Sequence, residues 1–299
     1  MSEECSTSRP IFYLAPMVRY SKLPFRLLVK QYGVDVCYTS MIYAKNFIES
    51  EYCRYSEFST CKEDDPVIVQ FATDDPMVLA TAAEMVSKYA NGVDLNCGCP
   101  KHDVRSKGFG SALLNKPELL TDMVRQTRAR VDDPDFSVSL KIRINYPLER
   151  TVDLCRKAEH AGVTHLAVHG RTPTQRSEPI DVDAIRLVND AVGVNVIANG
   201  GVTTLEEAQA LASETGVHGI MVADGLLTNP ALFHGHDTVP QDCVEKFMEL
   251  SNVHTLDWML YHQHLQYMLR PVLTSHQRRI FNELHGRPAI DDFLRESIL

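Results

Sequence analysis

The feature that most constrains this chain is a rhythm. Short β-rich apolar runs alternate with amphipathic stretches from near the N-terminus to beyond residue 220. The runs fall at residues 11–15, 36–41, 67–71, 92–96, 137–142, 165–169, 194–198 and 219–222. Between them, helical spacing marks residues 77–89, 117–130, 148–160, 182–191 and 205–214. Several of these start as helices do: Pro76 and Pro117 sit where a missing N–H is harmless, and Thr203-Thr204-Leu205-Glu206-Glu207 offers a cap with early acids. Strands alternating with helices predict a parallel sheet, and eight of them in one run predict a closed (β/α)8 TIM barrel rather than an open sheet.

Beyond Gly235 the rhythm stops. Residues 236–240 read as a linker, and 244–250, 256–273, 277–284 and 289–298 carry helical spacing without any further buried strand. The expectation is an α/β catalytic barrel over residues 1–235 followed by a small helical domain over 236–299.

Composition narrows the class of protein. With 44% hydrophobic and 23% charged residues, the chain has material for a large core. A net charge of −9 argues against a generally basic nucleic-acid binder, although a local basic groove remains compatible with it. The 8 cysteines are scattered and the opening residues 1–10 lack the apolar centre of a secretory signal. Reduced thiols in an intracellular setting, cytoplasmic or nuclear, are therefore expected. No apolar run approaches the roughly 20 residues that span a bilayer, so no membrane partner is expected, and no obligatory protein partner is evident.

A barrel builds its site from the C-terminal ends of its strands. Here those ends carry Ala15-Pro16-Met17, Gln70, Asn96 with Cys97 and Cys99, Lys141 inside an apolar run, His169-Gly170-Arg171-Thr172, Asn199-Gly200-Gly201 and Ala223-Asp224-Gly225. Taken singly, each reads as a satisfied structural residue or a tight turn. Taken together, they converge on one mouth. A buried lysine needs a partner, and a flexible Gly-Gly pair lets backbone amides approach an anion. A planar anionic cofactor with many hydrogen-bonding edges would use all of them, and FMN fits. The Cys97-x-Cys99 pair lacks a second cysteine cluster to complete a tetrahedral centre, so no metal is expected. Both thiols could still be packed structural cysteines.

The residues also carry a resemblance. Ala15-Pro16-Met17, Asn96-Cys97-Gly98-Cys99-Pro100, Gly108-Phe109-Gly110-Ser111-Ala112-Leu113-Leu114, Lys141-Ile142-Arg143, His169-Gly170-Arg171-Thr172 and Ile197-Ala198-Asn199-Gly200 resemble the tRNA-dihydrouridine synthases. The Asn-Cys-Gly-Cys-Pro form and the tail around His262-Gln263-His264-Leu265 look most like the eukaryotic four-like branch, which is associated with positions 20a and 20b of the tRNA D-loop.

The resemblance implies FMN-dependent reduction of uridine to 5,6-dihydrouridine in tRNA, with NADPH (or NADH) as electron donor. It puts the proton donor at Cys99, since a thiol of ordinary pKa, about 8.5, is mostly protonated at neutral pH. Cys97 then has no assigned chemistry. By the same carry-over Ala15, Pro16, Met17, Gln70, Lys141, His169, Asn199, Gly200, Gly201, Ala223 and Asp224 would hold the flavin. Asn96 would contact the flavin or the target uracil, and Arg171 would face the substrate. Lys101, Arg105 and Lys107 in the loop, and His264, Arg270, Arg278 and Arg279 in the tail, would meet RNA. One position departs: the family normally has arginine where Asp224 stands, and an acid there is unfavourable beside a phosphate. Two rivals remain open at this point, an FMN barrel acting on a free small pyrimidine and a non-catalytic RNA-binding barrel.

Overall fold

Every β-rich run becomes a strand, because each is short, apolar and closed off by a turn or a cap. The structure, a computed structural model, describes residues 9–299; the polar opening residues and Cys5 lie outside the described residues. The strands are β1 (Ile11–Leu14), β2 (Val36–Tyr38), β3 (Ile42–Tyr43), β4 (Val67–Ala72), β5 (Gly92–Cys97), β6 (Ser137–Arg143), β7 (His165–His169), β8 (Asn195–Asn199) and β9 (Gly219–Val222). They are parallel and ordered β2-β1-β9-β8-β7-β6-β5-β4, and β2 pairs back to β4 to close an eight-stranded barrel. Closure leaves only the two-residue β3 at a sheet edge among the described residues. The expected run at 36–41 ends early at Tyr38, and Ile42–Tyr43 adds a two-residue strand beside the end of β4.

The outer helices show the capping that the sequence promises. Asp75 accepts from Met77 N at 2.9 Å and from Val78 N at 3.1 Å, starting the helix Pro76–Val86. Thr204 and Glu207 form a reciprocal capping box on Leu205–Thr215. Helices Pro117–Arg130 and Val182–Ala191 have the bounds that periodicity predicts. Three others, Leu23–Gln31, Ala44–Glu49 and Glu51–Glu57, carry weaker signals. In the first of them a charged residue, Arg26, sits on the buried face and interrupts the apolar stripe.

Arg26 is held by Asp64, its Nη2 at 2.7 Å, with side-chain exposures of 2% and 0%. Ser21 O and Ser59 O accept its remaining N–H groups at 2.8 and 2.6 Å. Ser21 in turn donates its hydroxyl to Ala15 O and accepts from Met17 N, both at 2.9 Å, so the pair braces the turn after β1. A buried charge stripped of its partner costs about 3–5 kcal/mol. Asp64→Ala is therefore expected to lower stability by about that much in urea denaturation. The double change Arg26→Met with Asp64→Leu should recover most of the loss.

The tail forms four helices, Gln241–Val253, Trp258–Leu269, Ser275–Asn282 and Arg287–Ser297. Its apolar residues join those of the barrel's first helix in one continuous buried cluster. Tyr32 donates to Asp242 at 2.9 Å and Tyr20 to Gln263 at 3.3 Å, fixing the tail beside the mouth. Among the described residues no helix is long and apolar enough to cross a membrane.

Candidate active site

Parallel register decides which side chains share the barrel interior. Gln70 lies opposite Asp94 and Asp94 opposite Ser139; one layer nearer the mouth, Asn96 lies opposite Lys141. Above them Arg143, His169 and Asn199 form the next register line. Below, Tyr13, Tyr38, Ile68, Ala167, Ile197 and Met221 plug the barrel with a second buried apolar cluster. The polar residues therefore sit on an apolar floor and open in one direction only.

The loop after β5 is built from its own sequence. Asn96 Oδ1 accepts from Cys99 N at 3.0 Å and Gly98 N at 3.3 Å, an Asx-type turn that aims Cys99 at the mouth. Cys99 O accepts from Ser111 N at 3.0 Å. Gly110 makes that approach possible: its φ is +60°, and a Cβ there would lie 2.6 Å from Cys99 O. Between these points the segment folds into a single-turn helix, His102–Arg105, and continues into the 3-10 helix Gly110–Asn115.

The strand ends enclose a cavity of about 420 Å³. Of the residues expected there, Pro16, Met17, Gln70, Asn96, Cys99, Lys101, Lys141, His169 and Asp224 line it. Ala15, Asn199, Gly200, Gly201 and Ala223 do not line it. Ala15 N donates to Val222 O at 2.9 Å. Asn199 accepts from Lys141 Nζ at 2.7 Å and donates to Met221 O at 2.8 Å. Gly200 has φ +116°, and a Cβ there would come within 2.8 Å of the His169 ring and of Ile180. Arg105 and Lys107 are exposed outside the cavity, with Lys107 Nζ 4.4 Å from the Tyr43 ring centre. Arg171 is half-buried and donates to Glu178 O, with Nη1 3.3 Å from His169 Nε2.

Burial sets the charge states. It drives Lys141 down to about 8 against the pull of Asp94, and Asp94 up to about 7 against hydrogen bonds from Gln70 and Ser139. Burial, helped by Lys141, Arg143 and Arg171, pushes His169 far below its usual range, so its imidazole is neutral and offers an N–H rather than a charge. The Cys97 thiol is fully buried and pushed well up, which leaves it protonated and out of reach.

One expectation is corrected. His264, expected to meet RNA, is 0% exposed and lies on the apolar face of Trp258–Leu269 with Tyr261, Leu265 and Met268. Its ring packs against Phe25 (4.6 Å), Phe247 (5.1 Å) and Tyr20 (5.2 Å), and burial takes it down to about 3, so it is neutral. Helical spacing outweighs residue polarity here. His264→Leu is expected to leave tRNA affinity within about twofold and thermal stability unchanged or raised, because among the described residues neither ring nitrogen has a hydrogen-bond partner at normal distance. A tRNA titration and a melting curve check both statements. Arg270 is exposed, as an RNA contact requires.

Other lining residues escape a reading of strand ends. Arg143 faces the mouth two positions after Lys141, a period-2 signal present in the sequence; its Nη1 donates to Thr172 O at 2.8 Å and Gln175 O at 2.9 Å. Asp94, two positions before Asn96, follows the same period but lies beneath the cavity rather than on its wall. Tyr20 and Tyr267 arrive from far apart in the chain, with ring centres 5.4 Å apart, and no local pattern announces their meeting. Both also line a cleft of about 760 Å³ that holds Arg270, Arg278 and Arg279.

A closed α/β barrel with a thiol, a half-buried lysine and a neutral imidazole at one mouth has the architecture of a barrel enzyme. The chain belongs to the dihydrouridine synthase family, whose model matches residues 13–293. It is 74% identical to an uncharacterized tRNA-dihydrouridine synthase-like protein of Caenorhabditis elegans, over 93% of this chain and 98% of that one. It is 47% identical to a human tRNA-dihydrouridine(20a/20b) synthase-like protein, over 94% of this chain and 89% of that one. In fold it is similar to the old yellow enzyme from Trypanosoma cruzi, with a TM-score of 0.55 at 12% identity, covering 75% of this chain and 86% of that one.

Proposed function

We propose that this chain reduces uridine to 5,6-dihydrouridine in the D-loop of tRNA, at positions 20a and 20b, with FMN as cofactor and NADPH or NADH as electron donor. The observation that carries the reading is the meeting of Cys99 and Lys141 in one cavity of a dihydrouridine synthase chain. The residues fit a flavin. Lys141 has three N–H donors and, among the described residues, hydrogen-bonds only to Asn199, so two remain for a group in the cavity. Neutral His169 offers a further donor, and Pro16 and Met17 supply an apolar wall. Asp224 is exposed at the rim, where water can screen it from a phosphate.

FMN held by these residues would supply hydride chemistry to one carbon of the uracil double bond. Cys99, at the cavity wall, would give its thiol proton to the other carbon. Lys141 would stabilise negative charge on the bound cofactor, where a preorganised cation is effective because it needs no reorganisation. Asn96 spends its oxygen on the loop amides and one N–H on Gln70, so it positions Cys99 more than it reads a base.

The uracil must leave its stack to reach this depth. Residues 236–299 act as the RNA-contacting part of the molecule and residues 1–235 as the catalytic part. Arg270, Arg278 and Arg279 line the cleft beside the mouth and make no salt bridge among the described residues. That cleft favours a polyanion over a free pyrimidine. Replacing all three by alanine is expected to weaken tRNA binding and to reduce its salt slope by about 2, roughly 0.7–0.9 per lost phosphate contact. Dissociation constants at four or more salt concentrations measure this. The enzyme works where tRNA is processed, in cytoplasm or nucleus.

The direct test is the purified chain with FMN, NADPH and a D-loop-containing tRNA. Dihydrouridine should form in the tRNA and not in free uridine. Equal turnover of free uridine would overturn the reading.

A further inference from the structure

Asp94 is a buried carboxyl group that the reaction itself does not use. It is 0% exposed, one layer beneath the cavity, and it accepts from Gln70 Nε2 and from Ser139 Oγ, each at 2.7 Å. From it a chain of hydrogen bonds runs to the catalytic loop. Gln70 Oε1 accepts from Asn96 Nδ2 at 2.9 Å, and Asn96 Oδ1 accepts from Cys99 N at 3.0 Å and Gly98 N at 3.3 Å.

The order of donors along this chain is not free. In its ionised form, present above about pH 7, the Asp94 carboxylate only accepts: one oxygen takes the Ser139 hydroxyl and the other draws the nitrogen of Gln70, which turns the amide oxygen toward Asn96. Asn96 must then present its nitrogen to Gln70, which leaves its oxygen, the only atom able to accept, facing the loop N–H groups. Without an acceptor at position 94 the Gln70 amide can reverse. Asn96 would then reverse with it and set an NH2 against the N–H of Cys99, and the turn would lose both of its bonds. Gln70, Asp94 and Asn96 are buried, so water is a poor substitute and a mis-set amide leaves costly unpaired groups.

We propose that Asp94 is a positioning residue that sets the amide orientation of Gln70 and Asn96, and through them the place of the Cys99 thiol. The proposal rests on the assignment of Cys99 as the proton donor, but the relay itself is a property of the chain and is tested without turnover.

Hydrogen exchange on the full chain reads it directly. Asp94→Ala is expected to speed exchange of the Gly98 and Cys99 amides at least tenfold while the ladder amides of β4, β5 and β6 keep their protection. Asp94→Asn retains an oxygen that can accept from Gln70, and exchange should return to within about threefold of the native rate. Unchanged exchange at Gly98 and Cys99 in Asp94→Ala overturns the relay, as does a loss of protection spread over the whole barrel. An Asp94→Asn chain as exposed as Asp94→Ala overturns it too, because charge rather than acceptance would then be what matters.

Should Asp94→Ala not fold, Gln70→Leu breaks the same relay one bond nearer the loop and must give the same confined loss. In the holoenzyme, Asp94→Ala should slow the tRNA-dependent half of the cycle at least tenfold and leave reduction by NADPH within twofold. If the native holoenzyme proves inactive on tRNA, the functional reading fails while the exchange result still decides the relay.

Discussion

Cys99→Ala is expected to keep flavin and tRNA but to lose about 10²–10⁴-fold in the rate of dihydrouridine formation, the range that a positioned general acid contributes. The geometry singles out this thiol. It is half-buried at the cavity wall, its N–H is fixed by Asn96 and its carbonyl by Ser111, so the side chain has a defined direction. Its neighbour Cys97 points into the core and is fully buried, and Cys97→Ala should cost stability rather than turnover. Stopped-flow measurement separates the two halves of the cycle: NADPH-driven flavin reduction should be unchanged in Cys99→Ala and tRNA-driven reoxidation should nearly stop. Equal loss in both halves would mean that Cys99 shapes the site rather than donating a proton.

Lys141→Met should lower kcat/KM by about 10²-fold, in line with removing one preorganised charge-stabilising donor, and should loosen flavin retention. The native enzyme carries a pH signature of the same residue. Burial places Lys141 at about 8 in the folded chain, so the ammonium is present below pH 8 and lost above it. Activity should fall above pH 8, and Lys141→Met should lack that limb. The sign for folding is opposite. Between about 8 and the ordinary lysine value the unfolded chain binds more protons than the folded one, so this group makes stability rise with pH there. A falling rate in that window with an unchanged or higher melting temperature is therefore a titration of the site and not a loss of fold.

Strand positions and strand-end chemistry are legible in this sequence because both are local. Gly92–Cys97 reads as an apolar run that ends in an amide and thiols, and it is β5 with the Cys99 loop after it. Lys141 stands out because a charge inside an apolar run demands a reason. Asp94 is an equally charged intruder two positions before Asn96, yet its importance appears only when register sets it beside Gln70 and Ser139. His264 illustrates the reverse error: polarity suggests a surface, whereas its place among Tyr261, Leu265 and Met268 puts it in the core. Arg26 breaks the stripe of its helix and hides that helix from periodicity, and only its buried partner 38 positions away explains it. The join between tail and mouth, made by Tyr20 with Tyr267 and Gln263, depends on residues more than 240 positions apart and has no local trace.

The most direct test of the central claim is to map dihydrouridine, nucleotide by nucleotide, on tRNA from cells with and without this protein. The account predicts that the mark at positions 20a and 20b disappears without it and returns with the native chain but not with Cys99→Ala. A map unchanged by its loss, or restored equally by Cys99→Ala, would contradict the account.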